Sequence, residues 1–179
     1  MHAFERRAIT ARHDAIVQCL AALSREAGFS VAVEPKDPVQ NHSKRPDLLL
    51  LSSSTSIMVD VSVVEPTAAT YLRAARSTAN SAARRREKDK HTKYDDVASA
   101  DHCVFQPFIL ESYGALGDEA MKMVKMLAKQ AAVTYADTES HFLKKAMSML
   151  AVALQNGNAR ILDEGLLALK KQRLHVAAA

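Results

Sequence analysis

Apolar residues recur along this chain in two periods, and the change from one to the other predicts its elements. Ile9, His13, Ile16, Leu20 and Leu23 are spaced by three and four, which predicts a helix over about residues 3–27 with Gly28 as its stop. Ser30 to Glu34 alternates as a first strand and ends at Pro35. Residues 35–45 hold two prolines, Asn41 and several charges without a period, so they read as a loop. Leu48 to Leu51 and Ile57 to Val64 are aliphatic runs around a Ser/Thr cluster, which predicts a hairpin turning about Ser53-Ser54. An Ala- and Arg-rich helix is expected over about Thr67 to Lys93, ended by Tyr94-Asp95-Asp96. A strand follows from Cys103 to Leu110, and Pro107 within it argues for an edge position or a bulge. Leu116, Ala120, Met123, Leu127 and Ala131 form the stripe of a further helix. Phe142, Ala146, Met149 and Ala153 form the next one, over about Thr138 to Gln155. Asn156-Gly157-Asn158 then reads as a stop, before a last helix from Ala159 to Lys171. Helix, three strands, helix, strand and three helices make one α/β domain over residues 1–179, a mixed sheet flanked by helices. The core is expected over about 3–137, with a helical C-terminal extension over about 138–172.

Two aspartates break the apolar hairpin. Asp47 and Asp60 have positions that sum to 107, so in an antiparallel pair turning about Ser53-Ser54 they stand opposite one another, with Cβ atoms about 4.5–5.5 Å apart. Either one alone reads as ordinary, Asp47 starting a strand after Pro46 and Asp60 on a solvated face. Inside runs this apolar, however, the strands read as buried on both faces, and a buried carboxylate needs a partner. Two carboxylates that close need a shared proton or a divalent cation between them. We read a metal site, for Mg²⁺ or Mn²⁺.

Composition narrows the class. The net charge of +4 favours an anionic partner. Cys19 and Cys103 have neither disulfide-framework nor zinc-knuckle spacing, so reduced thiols in an intracellular protein are expected. There is no apolar run of membrane-spanning length and no glycine-rich phosphate loop, which argues against a membrane role and a nucleotide cofactor. No nucleophile signature of a Ser or Cys hydrolase appears.

The cations are concentrated on the expected long helix: Arg73, Arg76, Arg84, Arg85, Arg86, Lys88, Lys90 and Lys93, with Glu87 the one acid before Asp89. A charge run is often a solvated face. Such an imbalance repels itself unless an anion lies alongside, and phosphate contact by Arg84, Arg85, Arg86 and Lys88 is the economical reading. Arg86, Lys90 and Lys93, spaced by four and three, project from one side, with Tyr94 adjoining. Lys122, Lys125 and Lys129 form a second basic face. Pro46 keeps Arg45 out of the α region, so Arg45 stands beside the acidic pair, where it can contact a phosphate or simply face solvent. His13, on its apolar stripe, reads as a core residue, and Asp14 beside it is the better functional candidate.

Pro46-Asp47, twelve intervening residues and Asp60 resemble the PD-(D/E)xK restriction-like nuclease motif. With Arg45 before it, the motif is similar to the endonuclease domain of site-specific non-LTR retrotransposons. Further matches are Lys90-His91-Thr92-Lys93-Tyr94, Phe105-Gln106-Pro107-Phe108 and Glu111-Ser112-Tyr113-Gly114 followed by Gly117, so the resemblance spans roughly residues 12–160. It implies a restriction-endonuclease-like core and a Mg²⁺- or Mn²⁺-dependent endonuclease that nicks or cleaves DNA, as in target-primed integration. It further implies a parent element's reverse transcriptase as partner, and a nuclear location in a eukaryote. Asp47 and Asp60 would be catalytic metal ligands, with Asp14 an additional acid from the first helix. Ser62 stands where the common pattern has lysine, so the resemblance implies a lysine supplied by the helix, Lys90 first and Lys93 second. Arg45 and Tyr94 join the DNA contacts. A junction-resolving or repair nuclease of the same fold, and a DNA-binding module without catalysis, remain the alternatives.

Overall fold

The computed structural model describes residues 3–35, 45–134 and 138–177. Its order is α1 (Ala3–Glu26), β1 (Ser30–Val33), β2 (Leu48–Leu51), β3 (Ser56–Val64), α2 (Ala69–Ala75), α3 (Ser81–Ala100), β4 (Val104–Glu111), α4 (Asp118–Thr134) and α5 (Glu139–Ala177). The four strands lie in the order β1-β2-β3-β4, antiparallel except for the parallel β3/β4 pair. This is an α/β fold with a mixed, open sheet. Of the loop expected over residues 35–45, residues 36–44 lie outside the described residues.

The hairpin register is the expected one. Leu48 pairs with Val59, Leu49 with Met58 and Leu50 with Ile57, all summing to 107. Ser52 N–H donates to Thr55 O at 2.9 Å to close the turn. One face of the sheet carries Leu48, Leu50, Val59, Val61, Phe108 and Leu110 into the main core, against α1, α4 and α5. On the other face Met58 and Phe105 pack under Tyr94, Val97 and Ala98 of α3, while Val64 and Ile109 meet Ala82 and Ala83. β3 is therefore covered on both faces, whereas Leu51 of β2 is exposed. Pro107 sits on an edge strand, β4, opposite Asp60.

Three expectations are corrected. The helix expected over Thr67 to Lys93 is two helices, because Asn80 adopts a left-handed conformation (φ 58°) and its side-chain amide donates to Leu116 O at 3.1 Å. Asn tolerates that region better than most residues, and the alanine count hid the break. A buried carboxylate, Glu111, then accepts from Ala83 N–H in the first turn of α3 at 3.3 Å, satisfying an otherwise orphaned donor. Nor do Tyr94-Asp95-Asp96 end this helix. Tyr94, Val97 and Ala98 are buried, so packing carries α3 on to Ala100. Lastly, Asn156-Gly157-Asn158 does not stop a helix, since α5 runs unbroken through it. Gly157 is there for space: a Cβ would lie 2.3 Å from Arg12 Cγ and 3.0 Å from Arg12 Cα, where α1 crosses α5. Arg12 Nη1 donates to Asn158 Oδ1 at 2.8 Å, and Asn158 in turn donates to Ser112 O at 2.8 Å.

Candidate active site

Pro46 ends the regular β2/β3 pairing and thereby shapes the site. Having no N–H, Pro46 cannot donate to the ladder opposite Val61. The Val61 N–H is instead taken by the Asp47 carboxylate, Oδ2, at 2.6 Å. The Asp47 backbone turns at the same point. Its N–H donates to Val59 O at 3.0 Å on one side, while its carbonyl accepts from Glu34 N–H at 2.7 Å on the other. A residue within a regular antiparallel strand directs both groups to the same neighbour. The turn fixes the Asp47 side chain to the backbone of β3 one residue beyond Asp60.

Each carboxylate meets a cation. His13, half-buried on α1, places Nε2 at 3.3 Å from Asp47 Oδ2 and Nδ1 at 3.2 Å from Asp14 Oδ1. It thus joins two of the three acids singled out on the sequence. The hydrogen bond to Asp47 is the main reason that the His13 pKa is raised to about 9, despite burial that opposes the charge, with Asp14 adding to the shift. Asp60, 4% exposed, is paired through Oδ2 with Lys90 Nζ from α3. This lysine also lies 5.7 Å from the Tyr94 ring centroid.

Tyr94 ties these parts together. Its ring stacks on Phe105 at 5.0 Å, and its hydroxyl donates to Arg45 O at 3.4 Å and accepts from Lys93 Nζ at 3.0 Å, with Asp60 close enough to act on it. Burial first, and then the bond to Asp60, push its pKa well up, so it stays a neutral donor. Tyr94 is buried, which places it inside the site rather than on a surface that a nucleotide could reach. Lys90 and Tyr94, four residues apart, lie on the sheet-facing side of α3, while Lys93 is exposed at its flank and reaches the Tyr94 hydroxyl from there. Ser62, two residues beyond Asp60, is buried on the same face of β3.

The remaining residues of interest divide. Arg45 is held by Glu34, through the Glu34 carbonyl and a 3.0 Å contact with Oε2. Arg84 pairs with Asp118 at 2.8 Å in an exposed position, and Arg85 donates to Thr70 O at 3.1 Å and lies over Tyr71. Arg86 is half-buried, close enough to Tyr94 to act on its hydroxyl, and Lys88 is exposed. Beside Asp14, a cleft of about 590 Å³ opens between α1 and the end of β1, lined also by Gln18, Val33, Glu34 and Arg45.

The donor chemistry fits a hard cation in one way. Mg²⁺ commonly binds through one or two carboxylates, completed by water and phosphate oxygens. Asp60 on β3 and Asp47 at the entry to β2 are the two carboxylates that could take that part. Among the described residues no group of three or more His, Cys, Asp or Glu side chains is arranged to hold a metal, so substrate oxygens and water would complete the shell. His13 is the residue that sequence reasoning passed over. Its place on an apolar stripe was legible, but the Asp47 that it meets comes from 34 residues along the chain. No helix among the described residues is long and apolar enough to cross a membrane. No family model and no curated protein sequence matches the chain.

Proposed function

We propose that the chain is a metal-dependent DNA endonuclease whose mixed sheet forms a restriction-endonuclease-like core, as in the retroelement domains that its Pro46-Asp47…Asp60 pattern resembles. The observation that supports this reading is the pairing of the buried Asp60 with Lys90 from α3, next to the Val61 N–H from which the Asp47 carboxylate accepts. Asp47 stands at the entry to β2 with its carboxylate bonded to β3 one residue beyond Asp60, and a lysine from α3 is paired with Asp60, where the strand itself offers only Ser62. Asp47 and Asp60 would hold a divalent cation, which would supply charge to offset that developing on the phosphate and would lower the pKa of an attacking water. Lys90 orients that water and its developing charge, held in place by Asp60 and by the Tyr94 ring. Tyr94 keeps Asp60 and the Arg45-Pro46-Asp47 turn in register. The basic residues of α3 and the Lys122, Lys125 and Lys129 face steer the phosphate backbone, which carries no base information. A parent element's reverse transcriptase is the partner that this reading implies.

The test is cleavage of supercoiled plasmid with Mg²⁺ or Mn²⁺. The parent chain is expected to nick or cut, and Asp60→Ala to abolish cleavage while DNA affinity holds. An Asp60→Ala chain that cuts as fast as its parent refutes the site. A second reading, a DNA-binding module without catalysis, is favoured by one observation. Both carboxylates already face protein cations, His13 and Lys90, an arrangement that is self-sufficient without a metal. Retained DNA binding with no metal-dependent cleavage by the parent chain selects it.

A further inference from the structure

The far end of α5 carries a row of leucines that the described residues do not cover. From Ala159 to Lys171 no residue is buried. Ile161, Glu164 and Ala168 are half-buried and mark the inward side of the helix. Leu162, Leu166 and Leu169 stand outward, 68%, 57% and 58% exposed. Their spacing of four and three makes one stripe along the helix, with Leu167, also more than half exposed, to one side. Single exposed leucines are ordinary, but a contiguous row of them on an otherwise charged helix marks a contact surface.

The charges beside the row say what covers it. Asp163 and Lys170 are seven residues apart, two turns, and so lie on the same flank of the stripe. If a second identical helix lies antiparallel across the first, centred near Leu166, Asp163 of each copy falls opposite Lys170 of the other. The leucines of one copy then fill the row of its partner. A surface that is its own complement about a two-fold axis is the requirement for an isologous contact. In the parallel arrangement the Asp163–Lys170 flanks of the two copies fall on opposite sides of the seam and do not meet.

We propose that this chain self-associates through an antiparallel pairing of the Leu162–Leu166–Leu169 face of α5, with Asp163 and Lys170 setting the orientation. The contact spans about two helical turns, so the association is weak and concentration-dependent rather than obligate. It is independent of the nuclease reading and leaves the Asp47/Asp60 site untouched.

Sedimentation equilibrium on the full chain tests it. The mass should rise from 19.5 kDa towards twice that value as the concentration reaches high micromolar. Leu166→Glu should remain at the lower mass. Asp163→Lys alone, or Lys170→Asp alone, places like charges across the axis twice and should raise the dissociation constant by about tenfold or more. In an equimolar mixture of those two variants, each copy sets a basic pair of side chains against an acidic pair, so the mixture should regain the dimer. All three positions are exposed, and an unchanged circular-dichroism spectrum confirms that each variant is folded. A parent chain that stays monomeric at high micromolar overturns the proposal, and so does a dimer that both single charge variants form unimpaired. A mixture no more associated than its components overturns the antiparallel geometry, and with it the proposal.

Discussion

Replacing Lys90 by Met tests the centre of the site without assuming any activity. Asp60 and Lys90 have side chains that are 6% and 12% exposed, so solvent screens their pair little. Removing one partner of a buried pair leaves an uncompensated charge and typically costs about 3–5 kcal/mol. The neutral Tyr94 hydroxyl remains beside Asp60 in the variant, which argues for the low end, about 3 kcal/mol. In a domain of this size each kcal/mol lowers Tm by about 2–4 °C, so a fall of about 6–12 °C is expected at pH 7. Asp60→Asn supplies the second corner of a double-mutant cycle. Because the two groups touch, the destabilisations should be non-additive by on the order of 2 kcal/mol. Urea denaturation of the four chains gives the cycle. Additive effects, with Lys90→Met costing under about 1 kcal/mol, would mean that the pair behaves like an exposed one and that the lysine does not hold Asp60. The cleavage arm is separate: if Lys90 orients the attacking water, Lys90→Met should slow single-turnover cleavage by about 100-fold or more at saturating DNA, with affinity unchanged. Equal small reductions in Lys90→Ala and Lys93→Ala, each explained by weaker binding, would refute that role.

The remaining expectations are more local. His13 has a folded-state pKa raised to about 9 from an unfolded value near 6.5, so its stabilisation is fully present below about pH 6.5 and is lost as pH rises towards 9. Denaturation midpoints of the parent should therefore fall over that window, and His13→Gln should flatten the fall; parallel curves would show that the imidazole is not held as an imidazolium. Gly157→Ala should destabilise by about 1–3 kcal/mol through its collision with Arg12, although helix propensity alone favours Ala by about 1 kcal/mol, and a raised Tm would refute the close crossing of α1 and α5. Replacing Lys122, Lys125 and Lys129 by Gln should flatten the salt dependence of DNA binding by about 0.9 in log–log slope for each phosphate no longer neutralised. The same change at Arg84 and Arg85 should do less, since both already have protein partners.

What the chain spells out locally is what its two periods can encode. The aliphatic runs Leu48–Leu51 and Ile57–Val64 specify two strands, and the short turn about Ser53-Ser54 between them specifies their register, because in a hairpin the loop length decides which residues pair. The three-and-four spacing in α1 and in Leu116, Ala120, Met123, Leu127 and Ala131 specifies which helix faces are buried. Gly157 shows the limit. Asn-Gly-Asn carries a stop signal, but whether a glycine ends a helix or lets another helix approach depends on Arg12, far away at the other end of the chain. Asn80 shows the converse, as a left-handed residue hidden in an alanine-rich run and stabilised by the carbonyl of Leu116. The site divides along the same line. The register that brings Asp47 and Asp60 to the same end of the hairpin follows from a short turn between two apolar runs, and so was written in the sequence. Which cation meets each of them depends on how α1 and α3 dock on the sheet, a matter of long-range packing. Tertiary structure alone set His13 against Asp47, Lys90 against Asp60 and the Tyr94 hydroxyl among them.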